Sequence, residues 1–457
     1  MSDRFIPPKP RTRPDGVGRI AHMRRFREDL FASQPERLYR AWMAEFRLPF
    51  FRSFFVNQTD IVEDVLKKRP DLFPKSPIIG GALYSLLGQS VFVTNGEMWK
   101  RQRRIIDPSF EGGQIHKSFP AMMAAGQDAV ANLMPLADGR PLEIEAPCSR
   151  LAADIIFRTL FSIPITDDIA ARTYSAFQAY QRTQPLMNLG SFVRAPRLIK
   201  WTQRRETKRY GAELRALLTE LTEHRAAEIE KGTAPDDLAT RIMTSVDPET
   251  GQGFDTEEMV DQVAIFFLAG HETSASALAW TLYLIANTSD IQDRLHREIN
   301  ALPDISQVNF RDLSKLPFMR DVFREALRLY PPVPMMVREA TQKEQFRNRT
   351  VPKGSQIVVS PFHIQRHERI WEDADVFDPD RWSREETKST SRHAYLPFSA
   401  GPRVCTGAGF AMVEGVAMLL CILSTFKIAP VAGKIPQPVA HLTLRSEDGI
   451  YLSLTPR

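Results

Sequence analysis

Apolar residues recur at helical spacing over most of the chain, and only short stretches depart from that spacing. Apolar positions three and four residues apart share one helix face, so the pattern predicts helices over 26–46, 61–68, 96–107, 288–301 and 311–330, and over most of 116–245. Residues 50–60 have a strand pattern, whereas 74–95 and roughly 181–201 have no clear period. Hairpins are predicted at 345–360, with Pro352-Lys353-Gly354 as the turn, and at 442–454. The predicted fold class is mainly α with small β-sheets.

The longest periodic segment begins at Asp255 and continues to about Asn287. Asp255 and Glu258 have the spacing of a capping box, which marks a helix start. Roughly 32 residues rising about 1.5 Å each give a helix of about 48 Å. Because the segment is apolar nearly all round its middle, we expect this helix to cross the core.

Small and polar residues interrupt the middle of this helix, in the order Ala269-Gly270-His271-Glu272-Thr273. Gly270 leaves flat space beside the backbone. Thr273 can hydrogen-bond the carbonyl four residues earlier and bend the helix, which is the structural explanation for a threonine after a glycine. For His271 we expect a surface position or a satisfied hydrogen-bonding role.

Residues 398–407 place Cys405 in a turn-rich stretch, with Gly401 four positions before it and Gly407 two after. Backbone that lacks a Cβ can fold tightly round the sulfur and direct N–H groups at it, which stabilises a thiolate. A helical pattern follows at once, and the N-terminal end of a helix also favours negative charge. Cys405 is therefore a candidate metal ligand. The alternative is a buried structural cysteine in a Gly/Pro turn.

The whole motif, F-x-x-G-x-R-x-C-x-G followed by Phe410, Ala411 and Glu414, resembles the haem-binding loop of the cytochrome P-450 family, the haem-thiolate monooxygenases. The resemblance implies haem b as cofactor, with Cys405 as the axial ligand of its iron. It also implies that Phe398 packs on the sulfur side. The remaining loop residues implied to bind the cofactor are Gly401, Arg403 and Gly407.

Two further motifs resemble the same family and appear in its order along the chain. A-G-x-E-T at 269–273 resembles the oxygen-activating motif, which implies that Gly270 beside Ala269 makes room for dioxygen, that Thr273 donates a hydrogen bond to it and that Glu272 relays protons. W-x-x-x-R places Trp99 and Arg103 on one helix face. The resemblance implies that both hold a haem propionate, although a core tryptophan and a solvated arginine would give the same spacing.

Further residues take their roles from the resemblance alone. Arg338 stands where the family has a propionate-binding arginine. Glu325, Arg328 and Arg381 resemble the family's structural charge network on the haem side. Low-specificity candidates for the substrate pocket are Ile265, Phe266, Met335, Met336 and Thr443, with the stretches 74–95 and 186–192.

Domain organisation follows from the same resemblance. The chain has 457 residues, for which length alone suggests two or three domains. The family packs this length into one domain, with the haem between the long central helix and the cysteine loop. We therefore expect a Pro/Arg-rich irregular lead-in at 1–20 and a single domain at 21–457.

Charge and cysteine content restrict the partners and the compartment. A net charge of +5 is mild and favours an acidic protein partner over nucleic acid. Three cysteines, Cys148, Cys405 and Cys421, give no disulfide framework, which favours a reducing compartment. The apolar runs near 263–269 and 415–423 are shorter than the roughly 20 residues that a membrane span needs. We expect a cytoplasmic protein without a membrane anchor.

The family implies insertion of one oxygen atom into a small apolar substrate, with electrons from a separate ferredoxin or flavodoxin. A basic patch of Lys100, Arg101 and Arg104 is the candidate docking site, and a solvated surface is the alternative. Other readings are a peroxide-driven peroxygenase and a haem-thiolate isomerase or dehydratase of the same fold. A non-catalytic haem sensor is a further alternative.

Overall fold

The computed structural model describes residues 4–14, 25, 29–48, 51–111, 113–183, 205–440 and 442–457. The stretch without a clear period at 181–201 lies mostly outside the described residues, and so does the pocket candidate at 186–192. Residues 4–14 are irregular apart from one bridge between Arg13 and Pro35.

Helices make up most of the described chain, as the periodicity predicts. They are α1 (Thr59–Glu63), α2 (Pro77–Leu87), α3 (Gly96–Ile106), α4 (Gly113–Leu133), α5 (Glu145–Phe161), α6 (Asp168–Thr183), α7 (Arg205–Glu230), α8 (Leu238–Thr244), α9 (Thr256–Ala286), α10 (Ser289–Asn300), α11 (Pro317–Leu329), α12 (Pro361–Ile364), α13 (Glu385–Ala394) and α14 (Ala408–Thr425).

The strands among the described residues form four small sheets. They are β1 (Met43–Leu48), β2 (Phe51–Val56), β3 (Pro141–Glu143), β4 (Met336–Glu339), β5 (Glu344–Phe346), β6 (Arg349–Val351), β7 (Gln356–Val359), β8 (Phe426–Pro430), β9 (Pro438–Ala440), β10 (Leu444–Ser446) and β11 (Tyr451–Pro456). The largest sheet has the order β1-β2-β7-β4, with β2 and β7 parallel. The others are β3-β11-β8, β9-β10 and β5-β6.

Helix α9 is the central element, and it confirms the predicted capping box. The Asp255 carboxylate accepts the Glu258 N–H at 2.8 Å, and the Glu258 carboxylate accepts the Asp255 N–H at 3.2 Å. Helices α5, α7, α11 and α14 pack around α9. Near its C-terminal end Trp280 is fully buried and stacks on Tyr330, with ring centroids 4.1 Å apart. Burial on nearly all sides explains why its apolar pattern has no polar face.

The helix predicted over 26–46 is wrong over 29–46, where turns and a short 3-10 helix, Glu36–Tyr39, precede strand β1, Met43–Leu48. This strand pairs antiparallel with β2, and Phe46 packs edge-on against Phe55 at 5.1 Å. Cross-strand pairing that buries aromatic residues outweighs a helical spacing in so short a segment.

A helix also replaces part of the stretch without a clear period at 74–95. Ser76 caps α2 by accepting the Ile78 N–H at 3.2 Å, and Pro77 occupies the first turn, where its missing N–H costs nothing. Leu83 and Leu87 lie one turn apart on the face buried in the core. The start and stop signals were present in the sequence, although the apolar spacing alone did not reveal the helix.

Both predicted hairpins pair differently in the structure. In the first, the tight turn lies at Arg347, between β5 and β6, and Arg347 has φ of 54°. Residues 352–354 instead lead to β7, which joins the largest sheet. In the second, β10 pairs with β9 and not with the strand that follows it, because β11 pairs with β3 and β8.

Two other helical segments refine the predictions. The segment 311–330 divides into a short turn, Phe310–Lys315, and α11, which Pro317 begins.

Helix α14 is longer than the apolar run 415–423. Among the described residues it alone is long and apolar enough by composition to span a membrane, but 61% of it is buried in the protein, as in an ordinary core helix.

Candidate active site

The Cys405 loop is closed by backbone contacts that leave no room for a side chain at Gly401. The Cys405 N–H donates to the Phe398 carbonyl at 2.9 Å. Gly401 has φ of 71°, and a Cβ there would lie 2.0 Å from the Leu66 carbonyl oxygen, so only glycine fits. A Cβ on Gly407 would meet no described protein atom within 4 Å, which leaves open space on that side of the loop.

The sulfur of Cys405 is accessible to solvent, yet protein surrounds it closely enough that burial raises the pKa of its thiol. The Gly407 N–H hydrogen-bonds the sulfur and, with the positive charge of Arg103, opposes this rise. The predicted stabilisation by loop N–H groups is therefore present but smaller than the cost of burial. A bound metal ion would supply the remaining stabilisation of a thiolate.

Helix α3 anchors this loop through its last turn. Arg103 Nη1 donates to the Val404 carbonyl, and its Nε lies 2.8 Å from the carboxylate of Asp107. Thr406 donates to the same carboxylate at 3.1 Å. Two of the Arg103 donors thus hold the loop in place, and less of its guanidinium faces a ligand than predicted.

Cations converge beside the loop without acidic partners. Lys75, Arg338 and Arg403 form no ion pair with any described carboxylate, and they and Arg103 repel one another. Burial is the first cause that lowers the pKa of Lys75 well below its usual value, and it lowers the pKa of Arg338 and of Arg403 to about 10. Uncompensated buried cations require an anion.

Trp99 and Arg403 make the closest contact in this group. The Arg403 guanidinium lies 4.2 Å from the centre of the indole ring, and that of Arg103 lies 6.0 Å away. Arg403 also donates to the Thr94 carbonyl at 3.1 Å. The structure therefore brings these three predicted residues together with Arg338. Lys75, whose Nζ donates to the Phe92 carbonyl at 2.5 Å, was missed because nothing in its sequence context marks it.

An open face lies on α9 where the sequence motif interrupts it. Ala269 is exposed although the helix is buried on most sides, and Phe266, Gly270 and Thr273 are partly exposed. These positions follow the i, i+3, i+4, i+7 spacing of one helix face. The middle of α9 thus faces an interior space.

Gly270 meets a packing requirement besides the predicted ligand space. A Cβ there would lie 2.2 Å from Cδ1 of Ile156 on α5. Close packing of α9 against α5 is therefore one physical reason for glycine at this position. The other side of Gly270 stays partly exposed on the open face.

Thr273 and Glu272 point in different directions. Thr273 Oγ1 donates to the Ala269 carbonyl, the bond expected for a structural threonine, and its lone pairs remain free to accept a hydrogen bond. Glu272 is buried, and its carboxylate accepts from Arg445 at 3.0 Å and from Thr443 at 3.3 Å. Burial raises the pKa of Glu272, and Arg445 followed by Thr443 opposes the rise.

Thr443 and His271 are both buried, and His271 takes the hydrogen-bonded role expected as the alternative to a surface position. Thr443 was a pocket candidate, but its hydroxyl is buried against Glu272. His271 is buried, not at the surface. Its Nε2 lies 2.7 Å from Ser149 Oγ, and its Nδ1 has no hydrogen-bond partner among the described residues. Burial lowers the pKa of His271 to about 3, so the ring is neutral.

The other pocket candidates divide into two groups. Ile265 and Phe266 belong to the core around α9, and Met335 packs against that core. Met336 packs into a second cluster that includes Phe54 of strand β2, so the structure does not bring it to the other three. Adjacent residues entering a strand point to opposite faces, which explains the separation.

The predicted charge network of Glu325, Arg328 and Arg381 forms as a buried unit. Arg328 Nη2 and Arg381 Nε both lie 2.8 Å from Glu325 Oε1. Burial alone would raise the pKa of Glu325, but the two guanidinium groups outweigh it and leave the pKa lowered. Arg328 also donates to the carbonyls of Gln365 and Ala374, which ties α11 to the segment before the cysteine loop.

The predicted basic patch is largely neutralised. Arg101 Nη1 lies 2.7 Å from Glu258, and Arg104 Nε lies 2.5 Å from the buried Asp247. These carboxylates belong to the start of α9 and the segment before it. Lys100 keeps 45% of its side chain exposed. Only one of the three predicted docking charges is therefore largely available.

These features together fit a haem-thiolate centre. A cysteine sulfur with an N–H donor, buried cations that lack carboxylate partners and an open apolar helix face match an iron ligand, two propionates and a flat macrocycle. The donor set agrees with that chemistry, and it includes Lys75, which no sequence motif singled out.

Comparisons with known proteins agree with this geometry. The Cytochrome P-450 family model matches residues 36–453. The chain is 31% identical over 396 residues to the cyclooctat-9-en-7-ol 5-monooxygenase of Streptomyces melanosporofaciens, covering 86% of this chain and 83% of the relative. It is 31% identical over 362 residues to the pentalenene oxygenase of Streptomyces avermitilis, covering 78% of each.

A solved crystal structure of a cytochrome P-450 shares the fold. Its TM-score is 0.79 at 26% identity, over 92% of this chain and 96% of the other. The fold, the cysteine loop and the matched family model lead to one conclusion: the chain belongs to the cytochrome P-450 family of haem-dependent monooxygenases.

Proposed function

We propose that this protein holds haem b with Cys405 as the iron ligand and inserts one atom of dioxygen into a small apolar substrate. The observation that carries the proposal is the group of unpaired cations beside a cysteine loop. Lys75, Arg338 and Arg403 would bind the propionates, with Trp99 and Arg103 beside them. Phe398, Gly401 and Gly407 would shape the loop round the sulfur.

Bound haem supplies the redox chemistry, since a thiolate ligand increases electron density at iron and favours cleavage of the O–O bond. Thr273 would present a hydroxyl oxygen on the open face beside Ala269. Glu272 would hold a proton at its carboxylate and exchange it with water that enters beside the half-exposed Arg445. Phe266 would exclude water from the same face, with Gly270 keeping α9 close to α5.

The charge network of Glu325, Arg328 and Arg381 would act structurally. Its role would be to keep α11 and the segment leading to the cysteine loop in register. Breaking a buried ion pair of this kind costs about 3–5 kcal/mol, because the remaining charge has no partner. Loss of any member would therefore reduce folded, haem-loaded protein before it changed the chemistry.

The substrate we propose is a small hydrocarbon-like molecule. Ile265, Phe266 and Met335 are apolar and lie in or against the core around α9. Two similar Streptomyces enzymes are named for cyclooctat-9-en-7-ol and for pentalenene. A panel of ligands that shifts the haem spectrum only with polar molecules would contradict this choice.

Electrons would come from a separate acidic ferredoxin or flavodoxin, with Lys100 as the main docking charge. Among the described residues Lys100 pairs with the exposed Glu97, so a partner carboxylate can compete for it. A rate of reduction that does not fall with salt would contradict this docking.

We also propose a cytoplasmic location and one domain over 21–457, preceded by an irregular lead-in at 1–20.

The test is the absorption spectrum of the purified protein, reduced and exposed to carbon monoxide. We expect a strongly red-shifted Soret band that the Cys405→Ala variant lacks. A band typical of histidine-ligated haem would overturn the role of Cys405. Turnover that needs a reductant and dioxygen excludes the isomerase, and turnover driven only by hydrogen peroxide would indicate the peroxygenase.

A further inference from the structure

The 88–94 loop, which joins α2 to α3, lies at one end of the open face of α9. Gln262 is fully buried one turn before Phe266 on that face, and its Oε1 accepts the Val91 N–H at 2.9 Å. Positions 262, 266, 269 and 273 follow one helical stripe. The loop is therefore a wall of the interior space that contains Ala269 and Thr273.

Asp261 holds the start of this loop from the neighbouring position on α9. Its Oδ2 accepts the Gln89 N–H at 2.6 Å. Gly88 has φ of 47°, and a Cβ there would lie 2.1 Å from Asp261 Oδ1, so the loop backbone fits directly against the carboxylate. Only 8% of the Asp261 side chain is exposed.

Arg215 on α7 completes the contact. Its Nη1 lies 2.7 Å from Asp261 Oδ1 and 2.9 Å from the carbonyl oxygen of Leu86, just before the loop. One guanidinium thus joins three elements: α7, α9 and the end of α2. A buried carboxylate left without its cation costs several kcal/mol, so the three elements move together or the pair must open.

The other end of the loop is held by the cations of the haem site. Lys75 donates to the Phe92 carbonyl and Arg403 donates to the Thr94 carbonyl. Between the two ends, Gln102 Nε2 donates to the Gln89 carbonyl at 2.7 Å. The wall therefore has hydrogen bonds to α3 and to the haem site, and the Arg215–Asp261 ion pair connects its start to α7, which also packs against α2.

We propose that Asp261 is a positioning residue: its ion pair with Arg215 sets the position of the 88–94 loop and thereby the rate at which ligands reach the haem. This inference rests on the proposed function in one respect: it takes the space beside Ala269 as the chamber that holds the haem. Through the guanidinium of Arg215, α7 would control the position of the 88–94 loop, although the loop is not part of α7.

The first test measures hydrogen exchange in the protein as purified, with whatever haem it holds, for Arg215→Gln, Asp261→Asn and the double variant. Exchange of the Gln89 and Val91 amides is expected to rise by about 10-fold in each single variant, because local opening becomes easier. The double variant should rise no further, because both changes remove one unit. The matched control is Glu220→Gln, which removes an exposed α7 pair with Arg172 and should change nothing.

The second test uses 4-phenylimidazole as a haem ligand in stopped-flow mixing. Its association and dissociation rates are both expected to rise about 10-fold in Arg215→Gln, with the Kd changed by less than about 3-fold. Arg215→Lys keeps the charge and should restore most of the wild-type rates.

Three outcomes would overturn the proposal. They are unchanged amide exchange, additive effects in the double variant, and faster exchange with unchanged ligand rates, which would make the pair merely structural. Should the protein bind no haem, the exchange experiment still decides whether Asp261 positions the loop. The carbon monoxide spectrum decides the proposed function separately.

Discussion

Arg445 reaches from strand β10 to the buried carboxylate of Glu272, with 3.0 Å between Arg445 Nη2 and Glu272 Oε1. The Arg445 side chain is 44% exposed, whereas that of Glu272 is 7% exposed. One residue therefore spans from solvent to an acid adjacent in sequence to Thr273. Burial raises the pKa of Glu272 and the guanidinium lowers it, so Arg445 controls how readily this acid ionises.

Replacing Arg445 with glutamine is expected to shift the pH dependence of coupling, measured as product formed per electron pair. Without the cation the pKa of Glu272 rises further, so a larger share stays protonated near neutral pH and the alkaline limb, where the acid ionises, moves to higher pH. The stability loss should be only about 1 kcal/mol, because solvent screens the half-exposed guanidinium. Arg11→Gln, which breaks an exposed pair with Glu447, is the control. Superimposable profiles for Arg445→Gln and wild type would show that Glu272 does not carry protons.

Thr273 and Thr281 make the same bond on the same helix, each donating to the carbonyl four residues earlier. Only Thr273 lies on the open face, because Thr281 is fully buried. We expect Thr273→Ala to lower coupled product formation by about 100-fold, the lower range for loss of a proton-transfer group, and to release hydrogen peroxide instead. Thr281→Ala should lower stability without uncoupling. Equal coupling in the two variants would favour a structural threonine, and a protein with no turnover in either form would favour the haem sensor.

Replacing Lys75 is expected to have opposite effects on the stability of the haem-free protein and on the retention of haem by the loaded protein. Burial and the neighbouring arginines lower its pKa, so an uncharged Lys75→Met side chain should stabilise the haem-free form. The same change removes one partner of the propionates, and transfer of haem to apomyoglobin should quicken by about 10-fold, as for loss of one charged hydrogen bond. Lys100→Met, an exposed lysine on α3, should alter neither quantity. Slower haem loss from Lys75→Met would place the propionates elsewhere.

Local signals account for what could be predicted from the sequence. The capping box of Asp255 and Glu258 involves neighbours in the chain, and so does the bond from the Cys405 N–H to the Phe398 carbonyl in the cysteine loop. The helix α2 carried equally local signals, Ser76-Pro77 at its start and Gly88 after its end, and reading those residues before the apolar spacing would have found it.

Contacts distant in the chain account for most of the misses. Arg445 lies 173 positions from Glu272, and nothing near either residue identifies the other. The packing of Gly270 against Ile156 was missed because Ile156 comes from another helix. Strand β10 was paired with its neighbour in sequence, whereas the structure pairs it with β9 on its other side.

Glu414 should make the stability of the protein fall as the pH rises. Its carboxyl is buried on α14, Oε2 accepts from Ser274, and Oε1 has no hydrogen-bond partner among the described residues. Burial raises the pKa of Glu414 from 4.5 to about 8. Between these values the folded protein keeps a proton that the unfolded chain has released, so the free energy of unfolding falls by at most about 1.4 kcal/mol per pH unit.

The Glu414→Gln variant cannot ionise and should lack this component. Its stability relative to wild type is therefore expected to increase from pH 5 to pH 8 and then to level, as measured by urea unfolding across that range. The control is Glu97→Gln, whose exposed carboxyl has its pKa lowered by Lys100 and should show no such increase. A constant difference between Glu414→Gln and wild type at every pH would mean that Glu414 is already ionised in the folded protein, with a cation or water satisfying Oε1.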